Sequence, residues 1–460
     1  MGERVERDSL GEVRVPEECL WGAQTQRSLQ FFAIGEERMP ALLIEALIWV
    51  KRAAAQVNGQ LGVLTPETAN LIVSVCDELL DGKLGDPFPL SMWQTGSGTQ
   101  SHMNVNEVIA NRANERLGRP RGDYAPIHPN DQVNASQSTN DVFPTAIHLA
   151  VLRQLHHKLL PALRELTGAL QEKAEAWGEL MKVGRTHLMD AVPMSLGESF
   201  SGYVQQLVYG LECLNRSQQR LWELPIGGTA VGTGINCPPE FGAGVAARLA
   251  LWTGLPLTSA PNKFEALGAR DGCVEFSSAL RRLAVSLMKI ANDIRWMGSG
   301  PRAGIGELTL PANEPGSSIM PGKVNPTQCE ALIMVCIQVM ANDMAAGIAG
   351  SLGHFELNTQ MPLIAHQLIQ SVRLLTDAIT SFSRHCITGL EPNRPQLDHH
   401  LESSLMLATA LTPRLGYERA AHLVQKAYHN DISLREANRI LGYLTEEEFS
   451  TLLDKALTAK

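Results

Sequence analysis

The stretch EFSSALRRLAVSLMKIANDIRWM, residues 275–297, decides the fold. It contains no Gly or Pro, and its apolar residues recur every three or four positions, which places them on one face of an α-helix. Globular proteins have a mean helix length of about 11–12 residues, so this helix is long. Its predicted apolar face consists of Phe276, Ala279, Leu280, Leu283, Leu287, Ile290 and Ile294.

Four further stretches are long, poor in Gly and Pro, and typical of helices. Long helices that lie side by side form a bundle. Strand signals are sparse, and strands do not alternate with helices as in a parallel sheet with a dinucleotide site. The sequence therefore predicts an all-α, mainly helical fold, with a long central bundle from residues 142–177, 193–223, 275–297, 326–344 and 355–385.

The chain has 460 residues, which is long enough for two or three hydrophobic cores. We expect a mostly helical N-terminal domain (residues 1–138), a central domain with the long helices (139–392) and a small helical C-terminal domain (393–460). The second boundary follows TGLEPNRPQL, residues 388–397, in which two prolines interrupt the helical pattern.

The composition is typical of a soluble globular protein, with 44% hydrophobic and 19% charged residues. The net charge of −9 gives no overall attraction for nucleic acid or acidic lipid, so local groups must hold any anionic ligand. The eight cysteines lie far apart without a CxxC pair, as expected in a reducing compartment.

The N-terminal sequence MGERVERDSLGEV is charged and lacks the apolar segment of a secretory signal. The most apolar stretch, residues 331–342, is 12 residues long and too short to cross a bilayer. We therefore expect a cytoplasmic protein with no membrane-spanning segment and no nucleic-acid partner.

The segment GSSIMPGKVNPTQCEA, residues 316–331, is the richest candidate for chemistry. It is not a phosphate-binding loop, because five residues separate its glycines where that motif has four, and Val324 replaces the required Ser or Thr. Asn325 and Pro326 favour the start of a helix, with Gln328 completing a capping box. The free amides of a helix start attract anions.

Charged and hydroxyl side chains surround this predicted helix start. Lys323 adds a positive charge, and Ser317 and Ser318 place hydroxyl groups on the same loop, so a carboxylate would bind well there. Glu330 lies in the first helical turn, where it could orient or charge a histidine. A capped helix that follows a turn, with a solvated lysine, is the alternative interpretation.

Three other segments carry polar groups ahead of predicted helices. In VGRTHLMDAVPMSLGESFSGY (183–203), His187 is a candidate acid or base because the ordinary pKa of histidine is about 6.5. QTGSGTQSHMNVNEVIANR (94–112) and HPNDQVNASQSTNDVFPTA (128–146) crowd hydroxyl, amide and backbone N–H groups that suit carboxylates. Taken alone, each segment favours a structural interpretation, namely a hydrogen-bonded structural histidine or an ordinary turn.

We predict no metal site. The sequence has no HExxH motif, and the adjacent pairs His156-His157 and His399-His400 cannot face one ion from one side of a helix. The Gly-rich run IGGTAVGTG (226–234) lacks the GxGxxG pattern and a preceding strand, which favours a flexible loop over a cofactor cradle.

Taken together, these segments resemble the fumarase/aspartase superfamily and, within it, the class II fumarases. GSSIMPGKVNPTQCEA is similar to the signature loop, and TGSGTQSxMNVNEV, HPND, SQSxND, GRTHLxDA and IGGTAVGTG occur in the family's order across nearly the whole chain. His187 stands where the sister aspartate ammonia-lyases have Gln, and Gly322 where they usually have Ala. The resemblance therefore favours a fumarase.

The resemblance also implies roles for individual residues. Ser317 resembles the serine on a mobile loop that removes a proton next to a carboxylate, and His187, paired with Glu330, resembles the group that handles water. Lys323 would stabilise the developing charge. The positions that hold the substrate match Ser97, Gly98, Thr99, Ser138, Thr139, Asn140, Thr186, Ser318, Val324 and Asn325. A peripheral dicarboxylate site matches His128, Pro129, Asn130 and Asp131.

Two positions depart from the family pattern. Thr139 replaces the more usual serine and keeps its hydroxyl group. Ala125 lies three residues before His128, where some members carry a basic residue.

The activity implied by the resemblance is the reversible hydration of fumarate to L-malate, a step of the tricarboxylic acid cycle. The reverse reaction is an anti elimination of water through an aci-carboxylate carbanion, which needs no metal, redox or organic cofactor. The implied partners are the small dicarboxylate and further copies of the chain, because the family forms homotetramers whose active sites are shared between subunits.

Two alternatives stay open. An aspartate ammonia-lyase would share the fold and the serine base but release ammonia instead of water. A non-catalytic, crystallin-like protein could keep the helical fold after losing activity, although intact Ser317, His187, Lys323 and Glu330 argue against it.

Overall fold

The computed structural model describes residues 2–458, and the fold is mainly helical, as predicted. The chain forms two compact units. Unit 1 comprises the residues up to Pro161, Leu211–Ala284 and Ile337–Thr376, whereas unit 2 comprises Ala162–Gly210, Val285–Cys336 and the residues from Asp377 onward. The division into three domains stays a prediction.

The described residues form seventeen α-helices. In chain order they are α1 (Ala23–Phe31), α2 (Ala41–Gln60), α3 (Pro66–Leu80), α4 (Thr99–Arg116), α5 (Thr139–Gln154), α6 (Leu160–Ala176), α7 (Leu196–Ser217), α8 (Phe241–Thr253), α9 (Lys263–Gly268), α10 (Asp271–Met297), α11 (Thr327–Gly350), α12 (Met361–Phe382), α13 (Arg394–Ser403), α14 (Thr412–Leu415), α15 (Tyr417–Asn430), α16 (Leu434–Leu441) and α17 (Glu446–Thr458).

Strands are short and occur in pairs throughout residues 2–458. The pairs are β1 (Glu3–Asp8) with β2 (Gly11–Pro16), β3 (Met181–Thr186) with β4 (Met189–Ser195), β5 (Glu223–Leu224) with β6 (Thr258–Ser259), β7 (Leu308–Thr309) with β10 (Glu391–Pro392), and β8 (Gly353–His354) with β9 (Leu357–Asn358). The β5–β6 pair is parallel and the other pairs are antiparallel.

The long helices are confirmed, with shifted ends. The stretch 275–297 lies in α10, and every residue of its predicted apolar face is buried. The predicted helix 142–177 is divided between α5 and α6 by a π-helical turn, Leu155–Leu159. The predicted helix 326–344 is longer than expected, because α11 continues to Gly350.

In unit 1, α4 is almost entirely buried although its sequence is polar. Hydrogen bonds offset the cost of burying these groups. The Glu107 carboxylate accepts backbone N–H groups at the start of α1, at 2.7–3.2 Å. The Asn114 side chain both donates to and accepts from the backbone of Ile127. These bonds fix the helix whose N-terminus carries Thr99.

In unit 2, the helices after α12 enclose their own apolar cluster. Leu411, Leu423 and Phe449 are among its buried residues, and Val183 of β3 belongs to the same cluster. Burying a side chain of this kind contributes about 1.5–3 kcal/mol. The cluster therefore anchors the β3–β4 hairpin.

The helix α11 carries an exposed apolar stripe. By length and composition α11 could cross a membrane, with 24 residues and a mean hydropathy of 1.7 over its most apolar window. Ile337, Met344 and Ile348 are 55%, 70% and 61% exposed, and Ala341 lies exposed between them. Spacings of three and four residues place these four, here called the α11 stripe, on one helix face.

Candidate active site

His187 lies at the tip of the β3–β4 hairpin, and the sequence did not predict this hairpin. Thr186 pairs with Met189, so His187 and Leu188 form a two-residue turn, and their φ angles are 56° and 62°. Turns with two positive φ angles match the twist of hairpin strands, but they usually contain Asn or Gly. Each left-handed residue of another type costs about 1–2 kcal/mol. The strain points to a functional requirement for His187 at this tip.

A buried ion-pair cluster supports the hairpin from within unit 2. The Glu307 carboxylate is fully buried and lies 2.8 Å from Arg185 and 3.5 Å from Lys182. Burial lowers the pKa of Lys182, and Glu307 partly opposes that shift. His400 also approaches Glu307, at 3.4 Å. Because Arg185 directly precedes Thr186, the cluster fixes the strand that ends at the predicted site residues.

The loop before α11 is closed by two hydrogen bonds. The Gly316 N–H donates to the Lys323 carbonyl oxygen at 2.8 Å, and the Asn325 amide donates to the Gly316 carbonyl at 2.6 Å. A side chain at position 316 would bring its Cβ within 2.6 Å of the Lys323 carbonyl oxygen, so only glycine fits. The loop therefore has a defined conformation.

Two capping predictions at this loop were wrong. The helix starts at Thr327, and the Asn325 side chain closes the loop instead of capping the helix. The Gln328 side chain accepts a hydrogen bond from Ser381 and does not complete a capping box. A residue with an amide side chain can serve either role, and the sequence alone does not distinguish them.

Within the closed loop, the Ser317 hydroxyl oxygen faces the backbone. It accepts hydrogen bonds from the N–H groups of Ile319 and Met320, at 3.2 and 3.0 Å. Ser318, Lys323 and Val324 are exposed, and the ammonium group of Lys323 has no hydrogen-bond or ion-pair partner among residues 2–458. The loop thus presents an oriented serine and an unpaired positive charge.

Glu330 is exposed in the first turn of α11. No hydrogen bond or ion pair joins it to His187 within the part of the chain that the structure describes. Their pairing stays a prediction.

In unit 1, the loop before α4 and the start of α5 are brought together. The hydroxyl oxygens of Ser97 and Thr99 lie 2.8 Å apart. Gly98 has a φ of +79°, and a Cβ at this position would collide with the Phe143 ring of α5. Glycine is therefore required for this close approach.

The start of α5 carries three of the predicted substrate-binding residues. Ser138 and Asp141 form a capping box, with the Ser138 oxygen accepting the Asn140 N–H at 3.2 Å. The Asn140 amide donates to the Ala230 carbonyl oxygen at 2.8 Å. The Gly-rich run, expected to be flexible, is thus fixed to α5, which its composition did not reveal.

A buried polar layer lies behind these residues, and the sequence reasoning missed it. Asp141 accepts backbone N–H groups from Gly227 and Thr229, both at 2.9 Å, and burial raises its pKa to about 6. Lys51 is fully buried and donates to side-chain oxygens of the 134–137 turn. Burial lowers the pKa of Lys51 well below its ordinary value, and Asp141 opposes that shift.

The predicted peripheral site forms a compact turn. The Nδ1 atom of His128 accepts the Asn130 N–H at 3.2 Å, and Asp131 lies 3.7 Å from the same atom. Asn130 and Asp131 are exposed, whereas Pro129 is buried.

The predicted site residues therefore form two groups, one in each unit. The first comprises Ser97, Gly98, Thr99, His128, Pro129, Asn130, Asp131, Ser138, Thr139 and Asn140, and the second comprises Thr186, His187, Ser317, Ser318, Lys323, Val324, Asn325 and Glu330. Two cavities, of about 400 and 440 Å³, are lined by other residues. Among residues 2–458, no three His, Cys, Asp or Glu side chains are grouped as metal ligands.

Comparison with known proteins defines the class of this protein as a lyase. The family model described as "Lyase" matches residues 11–341, and the model described as "Fumarase C C-terminus" matches residues 407–458. A solved class II fumarase from Schistosoma mansoni superposes with a TM-score of 0.96 at 41% identity, covering 100% of this chain and 99% of that chain.

Curated relatives identify the family more closely. Class II fumarate hydratase from Thermosynechococcus vestitus is 59% identical, over 97% of this chain and 96% of the relative. The enzyme of the same name from Neisseria meningitidis is 57% identical, over 98% of each chain. The chain belongs to the class II fumarate hydratase family.

Proposed function

We propose that this chain catalyses the reversible hydration of fumarate to L-malate, the tricarboxylic acid cycle step. In the direction of dehydration, a base removes a proton from the carbon next to one carboxylate of malate, and hydroxide leaves from the other face as water. The intermediate carbanion exists only if its charge spreads into that carboxylate. The site must therefore supply a base, positive potential at the carboxylate, and an acid.

The hydrogen bonding of Ser317 is the observation that carries the proposal. A serine hydroxyl is a weak base unless its deprotonated form is stabilised. The two backbone N–H groups that point at the Ser317 oxygen, from Ile319 and Met320, would stabilise the alkoxide more strongly than the hydroxyl. Ser317 is thus suited to remove the proton.

Lys323 is suited to stabilise the carbanion. Its ammonium group has no partner among the described residues and lies on the same closed loop as Ser317. A positive charge fixed before the reaction stabilises the developing aci-carboxylate without reorganisation. Removing one such group typically costs about 2.7–4 kcal/mol of transition-state stabilisation.

His187 is suited to donate the proton that converts the departing hydroxide into water. The hairpin tip exposes its imidazole, and the buried Glu307 cluster fixes the strand beneath it. Glu330 would favour the protonated imidazole by its negative charge. In hydration the roles reverse, with neutral His187 accepting a proton from the attacking water.

The hydroxyl and amide groups of unit 1 are suited to bind the substrate's carboxylates. Ser97, Thr99, Ser138, Thr139 and Asn140 all lie at the starts of α4 and α5, where backbone N–H groups also favour anions. We also assign Thr186, Ser318, Val324 and Asn325 of unit 2 to substrate binding. His128, Pro129, Asn130 and Asp131 would form the second, peripheral dicarboxylate site.

We infer that the active protein is a homotetramer with active sites shared between subunits. The α11 stripe supports this assembly, because exposed apolar residues at spacings of three and four match helix-to-helix packing. A cytoplasmic location agrees with the eight free cysteines. The net charge of −9 gives no overall attraction for nucleic acid, and we assign the α11 stripe to contact with another copy of the chain instead of a membrane. We therefore propose neither a nucleic-acid nor a membrane partner.

Ultraviolet absorbance of fumarate after mixing the purified protein with L-malate tests the proposal. L-aspartate is run in parallel, and Ser317→Ala is the matched control. We expect absorbance to rise with malate, and the control to lose most of that rise while keeping the wild-type circular dichroism spectrum.

Other outcomes would contradict the proposal. A rise with aspartate alone would identify an ammonia-lyase. Binding of fumarate without turnover would identify a protein that keeps the fold and has lost catalysis.

A further inference from the structure

The side chains of His102 and Thr139 are in direct contact inside unit 1. His102 is on α4 and Thr139 is at the first position of α5, and the His102 Nδ1 atom lies 2.7 Å from the Thr139 hydroxyl oxygen. His102 is fully buried and Thr139 is 8% exposed. The His102 Nε2 atom is also buried and has no hydrogen-bond partner among residues 2–458.

The surroundings keep this histidine neutral. Burial lowers the pKa of His102 well below its ordinary value, and the positive charge of Lys51 shifts it in the same direction. A neutral imidazole carries one proton, on either Nδ1 or Nε2.

The unpartnered Nε2 atom indicates which nitrogen carries the proton. A buried N–H group without an acceptor is rarer in native structures than an acceptor that lacks a donor. The proton therefore belongs on Nδ1, which then donates to the Thr139 oxygen. Because the Thr139 oxygen accepts this bond, its own proton stays available for another acceptor.

We propose that His102 is a positioning residue, which directs the Thr139 hydroxyl proton toward a carboxylate of the bound dicarboxylate. This inference rests on the proposed function, since it takes Thr139 as a substrate-binding residue. His102 does not touch the substrate and acts only through Thr139. Its contribution is to binding and is made equally in the ground state and the transition state, so it affects KM and leaves kcat unchanged.

A matched pair of variants tests this role. The side-chain amide of Asn reaches the position of Nδ1, whereas the amide of Gln reaches the position of Nε2. His102→Gln should raise KM for malate and fumarate by about 3- to 10-fold, the value of one neutral hydrogen bond, with kcat within about twofold. His102→Asn should recover most of this loss.

A double-mutant cycle shows whether the effect passes through Thr139. In a Thr139→Val background, the Asn and Gln variants should have the same KM within about twofold, because the hydroxyl is absent. His148→Gln is the control for replacing a buried histidine. His148 lies nine positions after Thr139 on α5, and we expect the His148→Gln substitution to leave KM unchanged.

The ¹⁵N spectrum of histidine-labelled protein tests the tautomer without any activity. The His102 signal is identified by its loss in His102→Asn, and we expect a protonated Nδ1 and a bare Nε2. This measurement separates the inference from the proposed function, whose failure would appear as a wild-type protein that does not convert malate.

Three results would overturn the inference. They are a proton on Nε2, equal KM values for the Asn and Gln variants in the wild-type background, and a Gln effect that persists in the Thr139→Val background.

Discussion

The side-chain amide of Asn325 reaches back nine residues to the carbonyl oxygen of Gly316, at 2.6 Å. This bond and the backbone bond from Gly316 to Lys323 enclose the segment that carries Ser317. The conformation of the candidate base Ser317 therefore depends on Asn325, which lies two residues before the start of α11.

Replacing the amide of Asn325 by a carboxylate should open this loop. Asn325→Asp keeps the size of the side chain, but places a negative oxygen opposite the Gly316 carbonyl. We expect kcat/KM for malate to fall about 10-fold or more, because the loss of a hydrogen bond adds to repulsion of the substrate carboxylate. Steady-state kinetics check this, and wild-type kcat/KM would show that loop closure is not required.

Glu330 should contribute to the rate more than to binding. In the proposed mechanism Glu330→Gln removes the negative charge assigned to support proton donation by His187, so kcat should fall more than KM rises. The measurement is the full dependence of rate on malate concentration. An unchanged kcat would remove Glu330 from the mechanism.

Glu307 should stabilise unit 2 strongly. Glu307→Gln would leave Lys182 and Arg185 as buried or half-buried cations without a carboxylate, and breaking such a buried pair costs about 3–5 kcal/mol. Urea denaturation should show a decrease of this order in the free energy of unfolding. Glu402→Gln, an exposed carboxylate on α13, is the control and should be within about 0.5 kcal/mol of wild type.

His148 should make the fold sensitive to acid. Burial, with a further contribution from Arg270, lowers the pKa of His148 to about 3, whereas the unfolded chain has the ordinary value of about 6.5. Between these values the unfolded state binds a proton that the native state does not, so stability falls as the pH falls.

Urea denaturation at pH 7.5 and 5.5 measures this effect. The free energy of unfolding should decrease with acidification by about 1 kcal/mol more in wild type than in His148→Gln, since only wild type has this group. Equal decreases in the two proteins would assign the acid sensitivity to other groups, of which His102 shifts in the same direction.

The α11 stripe should control assembly. Met344→Lys places a charge on a stripe residue that is 70% exposed, and light scattering should give a mass below that of a tetramer, with lower activity. Leu251→Lys is the matched control, because Leu251 is 71% exposed on α8, outside the stripe. An unchanged mass for Met344→Lys would separate the stripe from assembly.

The sequence predicted the long helices because their burial pattern follows from local spacing. Phe276 to Ile294 repeat at helical intervals, and the same side chains are buried in α10. The β3–β4 hairpin was not predicted, because the burial of its first strand does not follow the alternating spacing of a typical strand. In Met181–Thr186 three consecutive residues are buried, so the strand does not alternate, and its turn is His-Leu instead of Asn-Gly.

The site residues could be named from motifs, but their contacts could not. His102 and Thr139 are separated by 37 residues, and their contact depends on how α4 packs against α5. The sequence contains one indication that His102 is unusual, because it places an imidazole in a helix that is otherwise rich in side-chain amides. The roles of Asn325 and Gln328 were likewise decided by the positions of Gly316 and Ser381, which local propensity does not encode.

The exposed α11 stripe also implies that the specific activity of the protein depends on its concentration. A chain that needs other copies to cover this surface, and to complete its catalytic groups, gains activity by mass action. Specific activity should therefore not be a constant of the molecule, and should decline on dilution below the assembly threshold. If the active sites are shared between subunits as proposed, bound malate or fumarate should oppose that decline, because the ligand would then hold the subunits together.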